Sequence, residues 1–195
     1  MYPVNLNISG RLCLVVGGGK VALRKVVSLL NSDAQVRLVS PTLEDELQDL
    51  VMRDAKACGA LFNSASDSLA CDFQVPAQIQ RGDFLLTVST GGSSPAFSRV
   101  VRQKLEKEFG EEYGYMSLLM AIIRKEILLL GKSSNSNRDV FRALVAAKPL
   151  DIIKNAQWDD LEQCLKDHLP PELDAKNIIK KFLEENEATV VLTKF

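Results

Sequence analysis

The chain has 195 residues, of which 46% are hydrophobic and 25% charged, with a formal net charge of -1. These are the proportions of a globular protein, and near-neutral charge gives no ground for a nucleic-acid partner. No apolar run reaches the roughly 18 residues of a membrane span, since the longest candidate, Met116 to Leu130, is broken by Arg124, Lys125 and Glu126.

The N-terminus lacks the basic start and apolar core of a secretory signal. Cys13, Cys58, Cys71 and Cys164 are scattered, with no C-x-x-C pair. Both features point to a reduced, cytoplasmic protein rather than a disulfide scaffold or a zinc site.

Taken in chain order, Arg11 to Val16 reads as a buried strand and Lys20 to about Leu30 as a helix. Val21, Ala22, Val26, Leu29 and Leu30 fall on one face of that helix at helical spacing. Asn31-Ser32-Asp33 makes a turn into a second strand, Gln35 to Val39. A second helix starts with Thr42 as N-cap and Asp45 three residues on, and stops at Gly59. A short strand at Ala60 to Ala65 and a polar loop at Ser64 to Ser68 follow. Phe84 to Ser89 is the last clear strand, entered through the turn Arg81-Gly82-Asp83.

After Pro95 the pattern is helical throughout. Ser94-Pro95 supplies an N-cap with proline in the first helical position. Phe97, Val100, Val101, Leu105 and Phe109 form an apolar stripe, and Met116 to Leu130 carries a face wider than one buried side requires. That width points to a partner subunit, most simply a homodimer. Lys132 to Asn137 reads as a polar linker, with shorter helices at Arg138 to Ala147, Asp159 to His168 and Leu173 to Asn186. The expectation is an α/β, Rossmann-like domain over residues 1–94 and a helical dimerisation and substrate-cleft region over 95–195.

The run from Leu12 to Ala22 carries the clearest chemistry. Gly17, Gly19 and Ala22 fit the G-x-G-x-x-G/A pattern of a dinucleotide-binding βαβ unit. Gly17 permits the tight turn, Gly19 lets backbone approach a pyrophosphate, and Ala22 lets the helix lie close on the strand. The helix N-terminus offers free N–H groups and a positive dipole end to the phosphates.

Four stretches make the sequence resemble the precorrin-2 dehydrogenase family, which includes the N-terminal domain of siroheme synthase. They are Tyr2 to Leu6, Val15 to Lys25, Cys71 to Ala77 with Arg81-Gly82-Asp83, and Ser89 to Ala96. The resemblance implies NAD-dependent dehydrogenation of precorrin-2 to sirohydrochlorin on the way to siroheme, and some members also insert the iron. By position it implies that Lys20, Val21, Pro41 and Thr42 lie along the cofactor with Gly17 and Gly19. Asn63, Ser66, Thr90, Gly91 and Gly92 would line the tetrapyrrole cleft.

The chain departs from the family pattern twice. Members carry some tens more residues before Ala60, including an apolar strand that ends in an A-T-D-like segment beside the cofactor; here Leu50 runs directly into Val51. The family loop N-V-x-D-D is replaced by Asn63-Ser64-Ala65-Ser66-Asp67. Ser66 falls at the catalytic aspartate's position, and a serine hydroxyl does not ionise near neutral pH. Either Asp67 takes the catalytic role, or the activity is impaired or lost; the other reading of Asp67 is that of a turn former.

Lys20, Arg24 and Lys25 have two readings, a solvated helix face or attraction of a polycarboxylate, and so do Arg99 and Arg102. Thr90 to Ser94 suits carboxylate binding or simple helix capping. His168 reads as a surface residue and Trp158 as a packing residue, and no residues have metal-ligand spacing. NAD against NADP stays open: Val39-Ser40-Pro41 supplies no acid for the ribose, while Arg37 suits a 2′-phosphate. Two rival functions differ in class. One is iron insertion into sirohydrochlorin, the other a non-catalytic relative that senses or carries a tetrapyrrole or nucleotide.

Overall fold

The computed structural model describes residues 2–39, 45–67, 69–131 and 133–192. It forms two compact units. The first holds residues 1–75 and 91–93, the second residues 76–90 and 94–195.

In the first unit, β1 (Leu12–Val16), α1 (Lys20–Leu30) and β2 (Gln35–Val39) form a βαβ unit, followed by α2 (Asp45–Ala57). The strands pair in parallel from Leu12↔Gln35 to Val16↔Val39. Asp33, at φ 57°, closes the turn after α1, where its carbonyl accepts from Gly10 N at 2.8 Å. Gly59, at φ 68°, ends α2 in the left-handed conformation that glycine adopts without steric cost.

The expected Rossmann-like α/β character is present, and among the described residues the sheet of this unit has two strands. Among the described residues its buried apolar side chains are Val15, Ala22, Ala34 and Phe62. Leu12 and Leu14, which alternation directs away from the Val15 face, are 62% and 55% exposed. A parallel sheet with an open apolar face is unusual, because such sheets are ordinarily covered on both sides.

The strand expected at Ala60 to Ala65 does not form. Its backbone groups are taken by a neighbouring loop instead. Phe62 N donates to Asp72 Oδ2 at 2.8 Å, Asp72 N donates to Phe62 O at 2.9 Å, and Ser64 N donates to Cys71 Sγ at 3.1 Å. Side chains that offer the backbone local partners compete with a ladder, and here they win.

In the second unit, β3 (Ala77–Arg81) and β4 (Phe84–Val88) pair as an antiparallel hairpin closed at Arg81↔Phe84. Helices follow as α3 (Pro95–Glu108), α4 (Glu112–Leu129), α5 (Ser134–Ala146), α6 (Pro149–Lys154), α7 (Trp158–His168) and α8 (Ala175–Leu192). The hairpin packs on α3 and α4 and belongs to this unit. The compact units therefore divide after Val75, whereas the sequence pattern draws its boundary at Ser94.

α4 lies tight on β3. A Cβ added at Gly114 would stand 2.7 Å from Arg81 O. Phe84, Phe109 and Tyr113 stack beside this crossing, with ring centroids 4.8 to 5.9 Å apart. Arg81 Nε lies 3.1 Å from Glu111 Oε1 at an angle that makes it a charge contact rather than a hydrogen bond.

Leu119, Ile122, Ile123 and Ile127 of α4 enter a core with Leu144, Ile153, Leu161, Leu165, Ile178 and Phe182. Much of the apolar width of α4 is thus buried within its own unit. Leu128 and Leu129, together with Phe97 and Val100 of α3, stay exposed. The polar stretch read as a linker is already helical from Ser134, with Ser133 accepting from Ser136 N at 3.3 Å as the cap. The sequence pattern misses α6, which begins at Pro149 after Lys148 in a left-handed turn at φ 52°.

Candidate functional site

The glycine turn of the first unit has the geometry that phosphate binding needs. Gly17 sits at φ 116°, a conformation closed to most side chains, and its amide donates to Val39 O at 2.7 Å. Gly19 is the N-cap of α1 with ordinary φ -82°, so torsion does not require glycine there. A Cβ there would meet nothing within 4 Å. Among the described residues no side chain caps this helix, and its first turn holds no acid. Among those residues the leading N–H groups of α1 are therefore left to an anion, backed by the helix dipole. Lys20 and Val21 flank them, both exposed. The turn fits a pyrophosphate. Pro41 and Thr42 lie outside the described residues.

The loop after α2 in the same unit carries Asn63, Ser66 and Asp67, and it is held by its own side chains. Asn63 Oδ1 accepts from Lys25 Nζ at 2.7 Å, and Asn63 Nδ2 donates to Phe73 O at 2.9 Å. Ser64 Oγ accepts from the amides of Ser66 and Asp67, both at 3.2 Å. Ser66 is exposed, with its hydroxyl 3.1 Å from Ser64 Oγ. Asp67 is half-buried, and its Oδ1 accepts from Leu69 N at 2.9 Å and Ala70 N at 3.3 Å. Among the described residues Oδ2 has no hydrogen-bond partner. Asp67 thus forms the turn through one oxygen, Oδ1.

Lys25 is one of three cations on α1 with two sequence readings, and the structure separates it from the other two. It reaches Asn63, while Lys20 and Arg24 are exposed on the helix. Cys71, to which no role was attached, is the centre of the loop. Its Sγ accepts from Ser64 N at 3.1 Å and donates to Asp67 O at 3.1 Å. A cysteine followed by Asp72, which also bonds back across the loop, was the available signal.

Thr90 belongs to the second unit. Its hydroxyl accepts from Ser94 N at 3.1 Å and from Ser98 Oγ at 3.2 Å, anchoring the start of α3. Ser94 Oγ accepts from Phe97 N at 3.2 Å as the N-cap. Gly91 and Gly92, at φ 63° and 88°, count with the first unit. A side chain at Gly92 would press on Gln74, whose Nε2 is 3.2 Å from the Cβ position. Among the described residues no group of His, Cys, Asp or Glu is placed to hold a metal ion, and no helix is long and apolar enough to cross a membrane.

The chain matches two family models. One, described as "Putative NAD(P)-binding", covers residues 4–52, and so takes in β1, α1 and β2. The other, described as "Sirohaem biosynthesis protein central", covers residues 86–108. Among curated proteins, the chain is 31% identical over 161 residues to the siroheme synthase of Nitrosococcus oceani, covering 64% of this chain and 34% of that protein. It is 28% identical over 212 residues to the siroheme synthase of Thioalkalivibrio sulfidiphilus, covering 90% and 43%. The chain therefore spans only about two fifths of the length of these relatives. The 212 aligned positions outnumber the chain's 195 residues, so that relative carries residues within the match that are missing here. Among solved structures, SirC, precorrin-2 dehydrogenase, shares the fold with a TM-score of 0.55 at 22% identity, covering 94% of this chain and 100% of that one.

Proposed function

We propose that the chain is a siroheme synthase-related protein that oxidises precorrin-2 to sirohydrochlorin with NAD as hydride acceptor. The observation that carries this reading is the glycine turn, with Gly17 at φ 116°, open space at Gly19 and an uncapped α1 N-terminus.

A bound nicotinamide dinucleotide supplies the electron-pair acceptor. The chain's residues do the rest. The amides at Gly19, Lys20 and Val21 hold the phosphates. Asp67 accepts at Oδ2 the proton released as hydride leaves the substrate carbon. Its Oδ1, fixed by the Leu69 and Ala70 amides, keeps the carboxylate oriented. Asn63, Ser66, Gly91 and Gly92, all of the first unit, bind the substrate's carboxylates. The exposed Phe97, Val100, Leu128 and Leu129 are the surface on which a homodimer would form.

The two-stranded sheet and Ser66 favour a second reading, that of a relative that binds the tetrapyrrole or nucleotide without turning it over. Anaerobic incubation of the protein with precorrin-2 and NAD, followed by sirohydrochlorin absorbance, separates the two. Saturable production supports the dehydrogenase. Ligand binding without turnover supports the second reading, and siroheme formation from sirohydrochlorin and ferrous iron would point to iron insertion.

A further inference from the structure

Lys25 lies on α1, the helix whose N-terminus faces the proposed dinucleotide phosphates. Its ammonium donates to Asn63 Oδ1 at 2.7 Å, across 38 residues of sequence and in a partly buried setting. A lysine is usually free to wave in solvent; this one is held by a neutral amide, and among the described residues no carboxylate pairs with it. Asn63 points its amide nitrogen at Phe73 O and, at 3.6 Å, at Cys71 Sγ. Cys71 Sγ in turn accepts from Ser64 N and donates to Asp67 O. Lys25, Asn63, Cys71 and Asp67 thus form one chain of contacts from α1 to the backbone carbonyl of Asp67.

Most bonds of this loop are internal to residues 62–73, so they give the loop a shape without saying where it stands. The Lys25 contact supplies the missing tie. We propose that Lys25 is a positioning residue that fixes the Asp67 turn in register with α1, so that the phosphate site and the proton acceptor keep one geometry. This rests on the function proposed above. The contact orients Asp67 only through Asn63 and Cys71, so its loss leaves the carboxylate present but misplaced.

The test uses the full chain with Lys25→Met and Lys25→Arg. The readouts are the NAD dissociation constant, kcat and KM for precorrin-2, and amide hydrogen exchange over residues 61–73. Removing the contact through Lys25→Met should change the NAD constant by no more than about threefold, the range of a surface substitution. It should lower kcat by about tenfold to a hundredfold, the effect of a misplaced reacting group. Amides of residues 64–71 should exchange faster by about tenfold, as expected for a lost charge-assisted bond, while those of α4 and α8 keep their protection. Lys25→Arg, which still donates to Asn63 Oδ1, should recover most of both.

Unchanged exchange over 64–71 in Lys25→Met would overturn the proposal. So would a tenfold loss of NAD affinity with kcat intact, which would place Lys25 on the dinucleotide itself. If the unaltered protein turns nothing over, the proposed reaction fails, while the exchange comparison still decides the role of Lys25.

Discussion

The amide of Gly17 donates to the carbonyl of Val39 at 2.7 Å, which ties the turn after β1 to the end of β2. The glycine turn is therefore part of the parallel pair rather than a free loop.

Substitutions at the two glycines should separate shape from binding. Gly19→Asp places a carboxylate at the N-cap of α1, where aspartate is a favoured cap and a Cβ meets nothing within 4 Å. Stability should hold or rise by up to about 1 kcal/mol, while NAD affinity is lost because the aspartate takes the amides and repels the phosphates. Gly17→Ala should instead cost about 1–3 kcal/mol through its strained φ. Calorimetric NAD binding alongside thermal unfolding checks both, and unchanged affinity in Gly19→Asp would remove the site from this turn.

Asp67→Asn keeps an oxygen to accept from the Leu69 and Ala70 amides but cannot take a proton. It should leave thermal stability within about 0.5 kcal/mol and reduce kcat by about a hundredfold or more. Equal loss of stability and activity would mean that Asp67 only builds the turn. Ser66→Asp, restoring the family's residue, should raise turnover.

Gly114→Ala reverses a common expectation. In an open helix position alanine is about 1 kcal/mol better than glycine. Here the added Cβ would stand 2.7 Å from Arg81 O and 2.9 Å from its carbonyl carbon, both backbone atoms that cannot swing aside. The clash should dominate and destabilise by about 1–3 kcal/mol. A raised unfolding temperature would show that α4 does not sit this close on β3.

Ser94→Ala removes the cap that accepts from Phe97 N at the start of α3. The cost should be about 1 kcal/mol in denaturant unfolding. Ser94→Asp, which keeps an acceptor at the cap, should retain most of the stability, and equal loss in both variants would argue against a capping role.

The cysteines should differ in reactivity. Burial first, and then the nearby charge of Asp167, push the Cys164 thiol above its ordinary pKa. Less thiolate is present at a given pH, so its alkylation is slowed. Iodoacetamide at mildly alkaline pH should label exposed Cys58 before Cys164, and Asp167→Asn should quicken Cys164 by lowering its pKa. Labelling of Cys164 first would contradict this burial.

Much of the first unit is legible residue by residue. β2 and α1 span the residues that hydrophobic spacing assigns to them, and β1 begins one residue later, at Leu12. The Ser94 cap and the stop at Gly59 also follow from local chemistry. By contrast, residues 60–65 have the composition of a strand, but among the described residues no strand pairs with them. Ala77-Gln78-Ile79-Gln80-Arg81 offers only one large apolar residue, Ile79, and so carries a weak strand pattern, yet Ile79 is 3% exposed in a hairpin packed on α3 and α4.

The glycine turn and its helix were readable because torsional demand, apolar periodicity and capping act between residues a few positions apart. The link from Lys25 to Asn63, the Cys71-centred loop, the inward burial of α4 and the place of the hairpin were not. Each depends on groups distant in sequence meeting in space. Only packing and competition for backbone partners decide whether a lysine binds an amide, or an apolar helix face turns to its own core.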